Sequence, residues 1–124
     1  MNISRARFDH IVSEAIARIP EEFRRHLDNI LISVQPRPSQ ELLDDLGLPP
    51  EEPLLGIFQG VPLTERSVTA PPLLPDTIFL FQKPLESICT TTEELIEEVE
   101  ITVVHEIAHY LGIDEKRLAE LGYG

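Results

Sequence analysis

Two histidines four residues apart, His105 and His109, bracket Glu106 in the run HEIAH. In a helix, positions four apart stand one above the other on the same face, so both imidazoles would aim at one point. Zinc takes imidazole nitrogen at about 2.0–2.1 Å, and one helical turn lets both rings bind one ion. Glu106 follows the first histidine and can reach a water on the metal, where it would act as general base. Gly112 interrupts the pattern three residues after His109, and Asp114 and Glu115 come next. A chain that turns at Gly112 can bring one of these carboxylates back to the ion. Two histidines, one carboxylate and an open position for water make a catalytic zinc site. The plainer reading is a pair of helix histidines satisfied by hydrogen bonds in the core or by solvent.

The motif needs a helix beneath it, and the flanking sequence predicts one independently. Thr91 and Glu94 have the spacing of a capping box. Leu95, Val99, Val103 and Ile107 recur every four residues as an apolar stripe, and Gly112 supplies the stop. The opposite side changes from Glu93, Glu94, Glu97, Glu98 and Glu100 to Ile101, Val104 and Ala108. The first half is therefore expected to be half-exposed, and the half with the histidines buried nearly all round.

Upstream, residues 4–19 carry Phe8, Ile11, Val12, Ala15, Ile16 and Ile19 at helical spacing, and Pro20 ends the run or starts a further short turn. Residues 29–35 and 54–59 read as strands, with Gly56 marking a bulge or a close backbone approach. Ser39 caps a short helix that Gly47 stops. Residues 76–82, DTIFLFQ, form a third strand with two apolar faces, and 83–89 lead into the main helix. Between the second and third strands lies a proline-rich loop containing Thr64, Glu65 and Arg66, which reads either as a substrate-contacting loop, given its length, or as a surface connection pinned by its prolines. Beyond Gly112, residues 114–121 form a short polar helix. This order predicts one α+β domain over residues 1–124, with a three- to four-stranded sheet packed on helices. Either the third strand or the loop after it could align an extended peptide by β-augmentation.

Composition narrows the partners. Ten Lys and Arg stand against 22 Asp and Glu, a formal charge of −12. Nucleic acid and anionic membrane surfaces both want cations, so neither is an expected partner. No apolar run approaches a membrane span, and the N-terminal residues lack the apolar core of a signal peptide, so the cytoplasm is the expected location. Cys89, the single cysteine, fits a reducing compartment as a buried apolar residue. His10 and His26 have no partner at ligand spacing and read as surface or structural groups.

HEIAHYLGIDE resembles the zincins, metallopeptidases built on HExxH. Its extension H-E-x-x-H-x-x-G-x-x-E has the spacing of the metzincin signature, with Glu115 at the third-ligand position. The metzincin Met-turn has no counterpart, since Met1 is the only methionine. EAIARIPEEF, LLGIFQGVPLTER, LPDTIFLFQKPLE and TVVHEIAHYLGIDEKRLAELGY together are similar to the small bacterial zincin-like metallopeptidases, the minimal zincins. That resemblance implies a compact α+β fold and one zinc, with His105, His109 and Glu115 as ligands and Glu106 as general base. The expected activity is hydrolysis of a peptide or protein substrate through a zinc-bound water. Tyr110, Tyr123 and Arg66 are the candidate oxyanion donors, Tyr110 reading as packing and Tyr123 as a mobile end. The rival expectation is a non-catalytic zinc module, in which Glu106 is idle.

Overall fold

Twenty residues, Thr92–Leu111, form the helix α5 that carries both histidines. The computed structural model describes residues 1–49, 53–60 and 76–123. Thr91 opens α5, its hydroxyl accepting from the Glu94 amide at 3.1 Å. The Glu94 carboxylate reaches back to the Thr90 amide, one residue earlier than a capping box requires, at 3.0 Å. Gly112 closes the helix in the left-handed region at φ 73°, a conformation that costs glycine little because it has no Cβ.

Before α5 come α1 (Arg5–Arg18), α2 (Glu21–Arg24), a 3-10 turn (Arg25–Asn29), β1 (Leu31–Gln35), α3 (Gln40–Leu46), β2 (Gly56–Gln59), β3 (Thr77–Phe81) and α4 (Gln82–Ser87). After it comes α6 (Glu115–Glu120). The architecture is α+β, as expected, with three strands among the described residues and a long helix near the C-terminal end. Each predicted helix and strand is present within a few residues of its expected bounds. The proline-rich loop with Thr64, Glu65 and Arg66 lies outside the described residues.

The sheet order is β1-β3-β2, with β1 parallel and β2 antiparallel to β3. β3 is therefore central, and its two apolar faces follow from that position. A central strand has no free edge, which removes it as a peptide-aligning strand; among the described residues β2 is an edge instead. Ile78 and Leu80 point into the core, fully buried, while Phe79 and Phe81 face the other side. There they line a hollow of about 280 Å³ with Arg37 and Gln59, and no histidine reaches it.

The core is one cluster. Phe8, Ile11 and Ala15 of α1 meet Leu95, Val99 and Val103 of α5, with Ile78 and Leu80 beneath and Leu118 of α6 closing the far end. The apolar stripes read from the sequence are thus the surfaces that bury. Cys89 is buried within the cluster. No helix among the described residues is long and apolar enough to cross a membrane.

Candidate metal centre and active site

Glu106 is buried although it is charged in its ordinary state, with 8 % of its surface exposed. A buried carboxylate needs partners. The backbone amide of Phe58 on β2 donates to its Oε1 at 2.8 Å. Its Oε2 lies 3.4 Å from His109 Nδ1. Burial pushes the Glu106 carboxyl above its usual range, against the downward pull of His109, the Phe58 hydrogen bond and His105. A carboxyl raised in this way is better matched to proton transfer near neutral pH than an ordinary surface glutamate.

The contact with β2 depends on Gly56, two residues before Phe58. A Cβ on Gly56 would lie 2.8 Å from the Phe79 carbonyl and 2.8 Å from Thr102 Cγ2. Without it, β2 lies close against α5, which brings the Phe58 amide to Glu106. Of the two sequence readings of Gly56, bulge or close approach, the structure shows the close approach. The role of the Phe58 amide has no sequence signature, because every residue but proline carries that donor.

His105 is half-buried, and its Nε2 lies 2.5 Å from the Tyr123 carbonyl. A carbonyl only accepts, so in this state Nε2 carries the proton. His109 is exposed, with 58 % of its side chain accessible. The expectation of a histidine half buried nearly all round therefore fails at His109. Its reason is geometric: α5 packs on α1 and the sheet through one side, and no described element covers the turn around His109.

Tyr123 is not a loose end. Its amide donates to the Leu118 carbonyl at 2.9 Å, its hydroxyl donates to Glu100 Oε2 at 2.9 Å, and its ring meets Phe23 edge-on. Tyr110 is buried between His26 and Phe58, which fits a packing role. His10 is a surface residue beside Glu14.

Asp114 and Glu115 have different surroundings. Asp114 is the N-cap of α6, its Oδ1 accepting from the Arg117 amide at 2.9 Å. Glu115 begins that helix, exposed, with no hydrogen bond or ion pair among the described residues. Among the described residues, no three His, Cys, Asp or Glu side chains are grouped to hold a metal ion. His105, Glu106 and His109 are brought together along α5; Glu115 does not complete a triad with the histidines in this state. The donor chemistry nevertheless suits zinc: two imidazoles one turn apart, a buried carboxylate between them, and a free carboxylate just past the helix stop.

A groove of about 250 Å³ opens beside Glu106 and His105. Leu55 and Gly56 form its strand wall, and Glu98, Ile101 and Thr102 its helix wall.

A model of a family of zincin-like metallopeptidases matches residues 27–124. No functionally curated protein matches the chain. Among solved structures, a conserved hypothetical protein of T. thermophilus is similar in fold, with a TM-score of 0.56 at 21 % identity, covering 96 % of this chain and 97 % of its own. That likeness extends over α1 as well, which the family match leaves out. With most of its length matched, the chain belongs to the zincin-like metallopeptidase family.

Proposed function

We propose that this chain is a zinc-dependent peptidase that cleaves peptide bonds with Glu106 as general base. The observation that carries the reading is the setting of Glu106: buried, held by the Phe58 amide of an edge strand, and flanked by two histidines one turn apart on α5. His105 and His109 would hold the metal. The third position goes to Glu115 and not Asp114, because Asp114 has its Oδ1 committed to the α6 cap while Glu115 is free among the described residues. Bound there, zinc would supply Lewis acidity, making a nearby water more acidic and a substrate carbonyl more electrophilic.

The chain's own groups do the rest. The Phe58 amide fixes one oxygen of Glu106 and leaves the other facing His109. Glu106 takes a proton from the attacking water and holds it until the amine leaves. It then returns the proton to the leaving nitrogen. β2, an edge strand among the described residues, lies next to this carboxylate and is the element that would align an extended peptide.

A second reading is a zinc-holding module without catalysis, in which Glu106 is idle; in either reading His105 Nε2 gives up its contact with the Tyr123 carbonyl if that nitrogen binds the ion. The two readings separate at Glu106. In protein purified without chelator or His-tag, elemental analysis should find about one zinc per chain, lost in His105→Ala and His109→Ala. Glu106→Gln should retain zinc and lose peptide hydrolysis. If wild type carries zinc and Glu106→Gln hydrolyses peptides as well as wild type, the general-base role is wrong. If wild type neither holds zinc nor is stabilised by it, both readings fall.

A further inference from the structure

Of the acids on α5, most are engaged. Glu93 pairs with Arg18, Glu94 accepts from Thr90, Glu100 accepts from Tyr123 and Glu106 accepts from Phe58. The side chains of Glu97 and Glu98 make no hydrogen bond or ion pair among the described residues; Glu97 is exposed, whereas Glu98 is half-buried. Glu98 stands in the wall of the groove that also holds His105 and Glu106. Seven residues of helix at 1.5 Å each put Glu98 about 10 Å from His105 along α5. An extended peptide covers that span in about three residues.

We infer that this groove is the subsite for a basic side chain of the substrate peptide, with Glu98 as the residue that selects it. The inference rests on the peptidase reading and names its substrate class. Three features point to lysine or arginine. Leu55, Ile101 and the bare backbone at Gly56 give the groove an apolar wall, which suits an aliphatic stem. Glu98 places a half-buried carboxylate without a cation among the described residues in that wall, where solvent screens an arriving charge less than at an open surface. The formal charge of −12 adds a field that draws cationic peptides in and holds acidic ones off. A metal ion is a poor alternative occupant. It would need several oxygen donors, and Glu98 belongs to no group of three acids or histidines placed to hold an ion, among the described residues.

The test uses zinc-loaded protein and a pool of short synthetic peptides of varied sequence, with cleavage sites read by mass spectrometry. Wild type should favour Lys or Arg by about tenfold at one fixed position within roughly three residues of the cut bond. Glu98→Gln, which keeps size and removes charge, should lose that preference while still cleaving. Glu98→Lys should turn the preference toward Asp or Glu at the same position. Cleavage with no basic preference, or a preference that survives Glu98→Gln, overturns the subsite and leaves the peptidase reading standing.

A second measurement needs no turnover. Glu106→Gln protein is titrated with two fluorescein-labelled peptides that differ only by Lys or Glu at one position, and anisotropy is followed. Tighter binding of the Lys peptide, abolished by adding Glu98→Gln, supports the subsite even if wild type cleaves nothing, a result that would sink only the peptidase reading. No cleavage together with equal binding of both peptides overturns both.

Discussion

Glu106, Asp114 and Glu115 show how much a single side chain's surroundings decide. All three are acids near the histidines, and their types alone do not rank them. Burial raises the Glu106 carboxyl, while the Phe58 amide holds one of its oxygens and pulls the other way. Asp114 is spent on the first turn of α6, while Glu115 is exposed and free among the described residues. Asp114→Ala should therefore destabilise the fold by about 1 kcal/mol, the cost of a lost N-cap, with zinc affinity little changed. Glu115→Gln should leave the urea midpoint near that of wild type and weaken zinc more than about tenfold in a chelator competition. The opposite pattern would move the third ligand to Asp114.

At the scale of elements, the site is a contact between one helix and one edge strand. α5 supplies His105, Glu106 and His109; β2 supplies one amide. Gly56 sets their separation. Gly56→Ala should push β2 from α5, since its new methyl would meet the Phe79 backbone and Thr102 Cγ2 at 2.8 Å each. The expected cost is about 1–3 kcal/mol in urea unfolding, as for other overpacked positions. The Phe58 amide should at the same time lose protection from hydrogen exchange, because its acceptor has moved away. Shaving Thr102 to Ser should restore little, because the clash with the carbonyl remains.

Across the whole molecule, Tyr123 ties the last turn to distant parts of the chain: Phe23 near the start, Glu100 and His105 on α5. Burial and the hydrogen bond to Glu100 push its phenol up to about 12 from an ordinary value of 10.0. A folded value above the unfolded one means that the fold holds this proton more tightly than the open chain does. The associated stability is fully present below about pH 10 and is lost as pH rises through about 12. Urea melts should therefore show a constant gap between wild type and Tyr123→Phe up to about pH 9 and a shrinking gap at about pH 11. A gap that does not change over that range would mean the phenol is no more protected than in the unfolded chain.

The sequence by itself determined α5 and most of the other elements, because these follow from local rules. Apolar residues at helical spacing buried Leu95, Val99 and Val103 against Phe8, Ile11 and Ala15. Thr91, Ser39, Gly47 and Gly112 placed helix ends through bonds within a few residues. That His105, Glu106 and His109 lie within one turn of α5 was legible for the same reason, since the helix itself was. Only the tertiary structure decided the rest. It made β3 central and β2 the edge, because strand order depends on contacts far apart in the chain. It exposed His109, brought the Phe58 amide to Glu106 and the Tyr123 carbonyl to His105, and set Glu98 in the wall of a groove. The two backbone contacts join residues 48 and 18 positions apart, and the groove is bare space between a strand and a helix. Neither backbone groups nor space has a letter in the sequence.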